Sequence, residues 1–258
     1  MTTRTTTNVR KIVVVSDLQV PFEDVRATKN LAAFIKRFKP DEVITIGDEI
    51  DFNTISKWSR GLSEEHEPTI GKDRDRCVEL LWELTRYVPK ASMVRSNHTD
   101  RLFNSIASRL PALLGAPELR YENFMKLDEL GIDFYRKPYA IEGTNWIAIH
   151  GDEQGTTPNA GASALRAARL HGKSVVQGHT HRLGISTFTE SSGYKMGRTL
   201  WGMEVGNLMR FSAAKYTKGT ANWTQGFGIL RIEGAKVSPQ IVPIERDGSF
   251  IVDGKVFG

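Results

Sequence analysis

Cysteine is almost missing from this sequence: Cys77 stands alone among 258 residues. An internal disulfide is therefore excluded, which suits a reducing compartment. Cys77 sits between Arg76 and Val78 in a helical pattern and reads as a small core residue rather than a nucleophile. No run approaches the roughly 18 apolar residues that a membrane helix needs. The opening MTTRTTTNVRK lacks the apolar stretch of a secretory signal, and residues 1–9 read as a flexible tail. Internal repeats and low-complexity linkers are also lacking. With 40% hydrophobic and 25% charged residues the chain can bury a sizeable core, so disorder is excluded for its bulk. The expectation is a cytoplasmic protein of one domain over residues 1–258, without membrane contact.

Charge of one sign is scarce only locally. Thirty-five Lys and Arg face 30 Asp and Glu, a net +5. Between Gln154 and Thr220 lie Arg166, Arg169, Lys173, Arg182, Lys195, Arg198, Arg210, Lys215 and Lys218, opposed only by Glu190 and Glu204. Such a bias attracts phosphates and could guide a nucleotide or nucleic acid, although a solvated basic face accounts for it equally simply.

Five short runs rich in β-branched residues punctuate the first 180 positions: Ile12–Val15, Val43–Ile46, Ser92–Val94, Trp146–Ile149 and Ser174–Val176. They do not alternate, as expected of strands buried on both faces. Apolar residues at helical spacing predict helices over Asp24–Phe38, Asp73–Tyr87 and Ala160–Leu170, the last stopped at Gly172. Strand and helix in repetition point to an α/β sheet with helical cover. From residue 185 to 258 the pattern changes to mainly antiparallel strands that complete the core: Ile185–Glu190, Phe227–Glu233, Val237–Ile244 and Phe250–Val252, with a hairpin turn at 246–249. Ser56–Lys72 and Ser191–Asn222 read as irregular segments, a class that often lines active sites.

The chemistry follows the strands. Ser16-Asp17-Leu18-Gln19, Gly47-Asp48-Glu49-Ile50-Asp51, Ser96-Asn97-His98, His150-Gly151-Asp152 and Gly178-His179-Thr180-His181 each come directly after one of the five runs. Ligands bind at that edge of α/β sheets. An isolated Asp there is ordinarily a turn former, and a His-x-His pair alone suits a metal no better than a turn. Together, Asp17, Gln19, Asp48, Asn97, His150, His179 and His181 make a mixed oxygen and nitrogen shell suited to Mn, Fe or Zn. Seven candidates exceed one ion's ordinary needs and match two ions sharing a carboxylate.

In this order the five blocks resemble the calcineurin-like metallophosphoesterase superfamily over roughly residues 10–185. The resemblance implies a four-layer α/β/β/α sandwich: two β-sheets flanked by helices. It implies two divalent ions, with Mn²⁺ favoured over Fe, Zn, Mg or Ni. One would be held by Asp17, Gln19 and His181, the other by Asn97, His150 and His179, and Asp48 would bridge them. It makes His98 the residue that assists the leaving group and Asp51 the acid that orients it. The implied activity is phosphoester hydrolysis by a hydroxide shared between the ions. A nucleotide, cyclic nucleotide or nucleic-acid diester is the favoured substrate. A nuclease acting on single strands, a phosphomonoesterase or protein phosphatase, and a metal-binding scaffold are the rival readings.

Three positions depart from the family pattern. Gln19 stands where an imidazole is usual, which weakens that site and shifts it toward Mn²⁺. Ser96 replaces a glycine, and Thr99 replaces an acid that Asp100 could supply. Phe52 and Asn53 after Asp51 depart from the protein-phosphatase branch. Arg95, Arg101 and Arg182 flank the blocks and could grip phosphate, while Trp58, Arg60 and Trp201 are candidates for stacking or phosphate contact in irregular segments. His66 reads as a surface histidine, and His171 as a helix-end residue.

Overall fold

The computed structural model describes residues 9–213 and 221–258. Lys215, Lys218 and the tail up to residue 8 lie outside the described residues. Four parallel strands, β1 (Arg10–Val15), β2 (Glu42–Thr45), β3 (Lys90–Val94) and β4 (Ile132–Tyr135), run in sequence order across one half of the first sheet. Antiparallel β10 (Gly226–Glu233) and β11 (Lys236–Pro243) extend it beyond β1, giving the order β11-β10-β1-β2-β3-β4. The second sheet is ordered β5-β6-β7-β9-β8, from Tyr139–Ile141, Trp146–Ile149, Ser174–Gln177, Lys195–Val205 and Leu183–Ser192 respectively. A separate ribbon pairs β12 (Phe250–Val252) with β13 (Lys255–Phe257).

Alternation along β1 assigns the layers. Ile12 and Val14 point into the inter-sheet core, where they meet Trp146, Ala148, Val176 and Met203 of the second sheet. Val13 and Val15 point the other way, onto Leu31, Phe34 and Ile35 of α1 (Val25–Phe38) and Leu80, Leu81 and Leu84 of α2 (Ile70–Thr85). Beyond the second sheet, Ile147, Ile149 and Val175 pack on Ala164, Ala167 and Ala168 of α5 (Ala162–His171). Both sheets are covered on both faces, which is why their strands read as continuous apolar runs. The layers are α/β/β/α. Two more helices, α3 (Thr99–Arg109) and the single turn α4 (Tyr121–Phe124), join β3 to β4.

Several elements differ from expectation. α2 begins at Ile70 and ends at Thr85, displaced by a few residues at each end. The segment 191–222 contains β9, which pairs parallel with β7 as well as antiparallel with β8, so the last third is not purely antiparallel. Residues 245–249 do turn, with Gly248 N–H donating to Glu245 O at 2.8 Å, but the turn leads from β11 into the β12–β13 ribbon. Cys77 is fully buried among α2 residues. No helix among the described residues is long and apolar enough to cross a membrane.

Candidate metal centre

The carboxyl ends of β1, β2 and β3 in one sheet, and of β6 and β7 in the other, open at the same edge of the sandwich. The chain turns there through unfavourable backbone. Asp17 (φ 53°), Gln19 (53°), Asp48 (57°), His179 (65°) and His181 (57°) all occupy the left-handed region, which non-glycine residues seldom enter. Five such residues in three adjacent loops is strain concentrated at one place, a mark of functional sites. Two glycines make room for them. A Cβ on Gly178 would collide with Ser16 and Asp17, and one on Gly47 would lie 2.6 Å from His150 Nδ1.

Hydrogen bonds orient several of the candidate ligands and turn their remaining polar atoms toward one another. Asp17 Oδ2 accepts from Ser16 Oγ (2.5 Å) and from His179 N–H (3.0 Å), whereas Oδ1 lies 3.0 Å from His181 Nε2. Gln19 Nε2 donates to Asp48 Oδ2 at 3.1 Å, leaving Oε1 buried without a partner among the described residues. His150 Nδ1 donates to the Ile46 carbonyl at 2.8 Å, which turns Nε2 toward Asp48 Oδ1 (3.3 Å) and His179 Nδ1 (3.2 Å). Asn97 Oδ1 is also buried and unpartnered. Asp48, His150 and His179 offer ligand atoms that all lie within 4.8 Å of one another.

The electrostatics agree with a missing positive charge. Burial pushes the carboxyls of Asp17 and Asp48 up, but the adjacent imidazoles outweigh it and hold both below the usual range, Asp48 well below. His150 is desolvated, which disfavours its charged form, yet Asp48 and Asp17 raise it to about 10. A cation is thus favoured at the point where imidazole nitrogens meet carboxylate oxygens. Oxygen donors without hydrogen-bond partners, backbone strained to present them, and hard oxygen with imidazole nitrogen together fit divalent metal.

His98 directs Nε2 at Asp48 Oδ2, 3.4 Å away, while its Nδ1 is buried without a hydrogen-bond partner among the described residues. Burial lowers the imidazole to about 4, against the pull of Asp48. Asp51 engages Arg101, whose Nη1 donates to the Asp51 carbonyl (2.5 Å) and lies 3.3 Å from its Oδ1. Burial nevertheless raises the Asp51 carboxyl to about 6. Ser96 and Thr99 compensate for one another. Ser96 Oγ accepts from the N–H groups of Asp48 and Thr99, and the Thr99 hydroxyl donates to the Ser96 carbonyl at 2.6 Å.

The flanking residues divide. Arg95 is committed to two acids, Asp100 (2.6 Å) and Asp152 (2.7 Å), and so ties the loop after β3 to the loop after β6. Arg182 donates to the Thr157 carbonyl. Trp201 packs against the inter-sheet core. Trp58 is 74% exposed and, with Arg60, Asn97 and Arg101, lines a cleft of about 330 Å³. His66 and His171 are exposed. Sequence reasoning passed over Trp223, whose ring rests on His181 with centroids 4.2 Å apart. Its one signal was an aromatic residue placed just before the Gln225–Phe227 strand start.

No family model matches the chain. The Gene 54 protein of Mycobacterium phage D29 is 38% identical over 254 residues, spanning 96% of this chain and 98% of that protein. Its counterpart in Mycobacterium phage L5 is 37% identical over the same shares. Among solved structures, Vps29 from Chaetomium thermophilum aligns with a TM-score of 0.52 at 10% identity, covering 96% of this chain and 98% of that one. At that identity the likeness is one of fold.

Proposed function

We propose that this chain, which belongs to the family of the mycobacteriophage Gene 54 proteins and has the fold of the calcineurin-like metallophosphoesterases, hydrolyses a phosphodiester with divalent metal. One observation carries this reading: buried amide oxygens of Gln19 and Asn97 without a hydrogen-bond partner among the described residues, set beside Asp17 and Asp48 oxygens that face the imidazoles of His181 and His150 at 3.0 and 3.3 Å. Asp17, Gln19 and His181 would hold one ion, Asn97, His150 and His179 the other, and Asp48 would serve both. Mn²⁺ is the favoured metal because Gln19 offers a neutral oxygen where an imidazole would favour a softer ion. Bound divalent ions supply a deprotonated water near neutral pH and draw charge from phosphoryl oxygens.

The protein's own part is to position and to steady charge. The Ile46 carbonyl fixes the His150 tautomer so that Nε2 is left as a ligand. In this reading the neutral His98 donates a hydrogen bond from Nε2, now set 3.4 Å from Asp48 Oδ2, to the phosphoryl group and steadies charge on the leaving oxygen, which takes its proton from solvent. Arg101 keeps Asp51 charged beside the centre and leaves part of its guanidinium facing the cleft that Asn97 lines. A cytoplasmic site of action belongs to the same proposal and is supported by the single buried Cys77.

Metal-depleted protein supplied with Mn²⁺, Mg²⁺ or Zn²⁺ should hydrolyse bis-p-nitrophenyl phosphate faster than p-nitrophenyl phosphate. His98→Ala should lower kcat by about 10²–10³-fold at unchanged metal content. A faster monoester would overturn the diester assignment. Metal binding without turnover of either ester would leave a scaffold.

A further inference from the structure

The candidate centre sits between two clefts that the ligand assignment does not use. The first, of about 330 Å³, runs between residues 55–60 and α3, over the β2–β3 side of the first sheet. Lys57, Arg60, Arg101 and Arg109 line it, with Trp58 exposed at its wall and Asn97 at its inner end; no acid is among its lining residues. Arg101 and Arg109 are paired with Asp51 and Glu65, while Lys57 lies over the Trp58 ring. Arg101, Asn104, Ser105 and Ser108 stand on one face of α3, so the polar wall continues for about 10 Å along the helix.

The second cleft, of about 800 Å³, lies between the start of α1, residues 210–212, residues 223–225 just before β10 and residues 244–246 just after β11, and meets the centre through Trp223 beside His181. Arg26, Arg210 and Arg246 line it together with Phe211 and Trp223. Its one acid, Asp24, is occupied in capping α1 and lies 3.8 Å from Arg26. Trp223 stacks between this cleft and the centre, in contact with His181 on one side and Phe211 on the other.

We propose that a single-stranded nucleic acid crosses the centre, with nucleotides seated in both clefts and the phosphodiester between them presented to the metal. This rests on the hydrolase reading and names its substrate. Each cleft combines cations with an indole, exposed at Trp58 and half-buried at Trp223, the pairing that binds phosphate backbone and stacks bases without regard to sequence. Each has a volume in the range of about 300–1,000 Å³ that takes a ligand of nucleotide size. A mononucleotide or cyclic nucleotide would fill one cleft and leave the other without purpose. A duplex has its base faces covered and could not stack on Trp58 or Trp223.

Binding of a fluorescein-labelled oligothymidylate of about twelve nucleotides, followed by anisotropy in EDTA, tests the clefts without catalysis. The oligonucleotide should bind far more tightly than thymidine monophosphate and should weaken as salt rises. Trp58→Ala and Arg210→Ala, one in each cleft, should each weaken binding roughly tenfold. Arg169→Ala, on the outer α5 layer, should leave it unchanged. With Mn²⁺ added, cleavage per molecule should rise with oligonucleotide length until both clefts are filled. Equal affinity for the mononucleotide, insensitivity to both cleft variants, or tighter binding of an acidic phosphopeptide would each overturn the proposal. Hydrolysis of bis-p-nitrophenyl phosphate without cleavage of the oligonucleotide would also overturn it while sparing the hydrolase reading. If neither is hydrolysed, the hydrolase reading falls, and the EDTA binding result decides the clefts by itself.

Discussion

Gln19 is the residue at which this centre departs most from the pattern that it resembles, and its geometry explains how the departure is accommodated. The amide nitrogen is spent on Asp48 Oδ2, and that bond orients Oε1 into the buried site. An imidazole at this position would give a stronger donor but lose the amide's hold on Asp48. We expect Gln19→His to tighten metal binding, because a nitrogen ligand outbids a neutral amide oxygen for most first-row divalent ions. Calorimetric titration of Mn²⁺ and Zn²⁺ into both apoproteins measures this; equal or weaker affinity in the variant would falsify ligation by Gln19. Residue types after the strands announced this centre well, since few structural roles need so many Asp, Asn and His at strand ends. Pairing was not legible at the same level. That Arg101 meets Asp51, or that Arg95 is saturated by Asp100 and Asp152, depends on loop paths that no local spacing encodes.

At the scale of elements, the strands bearing the centre were readable because both faces of each are buried. α3 and β9 were not. Only Thr99 and Leu102 of α3 are buried, while Phe103 and Leu110 around it are exposed, so its apolar residues gather on one side without forming the long buried stripe of α1. β9 has an exposed outer half, Lys195–Thr199, and its buried half is broken by Glu204, whose Oε2 accepts from Gly161 N–H at 2.8 Å. Pairing with β7 and β8 makes it a strand, and such pairing is invisible locally. The start of α3 carries its own test. Ser96 Oγ satisfies the N–H groups of both Asp48 and Thr99, so Ser96→Ala strands two buried donors and should cost about 1–3 kcal/mol. Urea unfolding measures the loss. A cost near zero would mean that Ser96 merely fills space left by the missing glycine.

For the whole molecule, the cations of the basic third quarter disperse: Arg166 and Arg169 lie on the outer helix α5, and Arg198 pairs with Glu190 on the β8–β9 hairpin. Among the described residues of that group only Arg210 lines a cleft beside the centre, and the cations of the other cleft come from the first half of the chain. Net charge along the sequence thus did not locate the cations that flank the centre. The same long-range convergence gives the centre a structural role, since loops after five strands from both sheets meet there. Bound metal would cross-link the carboxylates and imidazoles that these loops bring together. Ligand that binds only the folded state stabilises it by about 2.7 kcal/mol at a hundredfold excess over Kd. For a chain of this size that corresponds to a Tm increase of roughly 5–10 °C. Adding Mn²⁺ to metal-depleted protein in a calorimeter should produce this rise. Asp48→Asn should abolish the increment, and it should also lower the stability of the apoprotein, because the neighbouring imidazoles hold the Asp48 carboxyl well below its usual range. Phe34→Ala lies on the opposite face of the first sheet, among Phe38, Phe227, Phe250 and Phe257. It should cost about 3–5 kcal/mol yet keep the Mn²⁺ increment. An increment that survives Asp48→Asn would place the metal elsewhere, because in the proposed assignment Asp48 is the ligand shared by both ions.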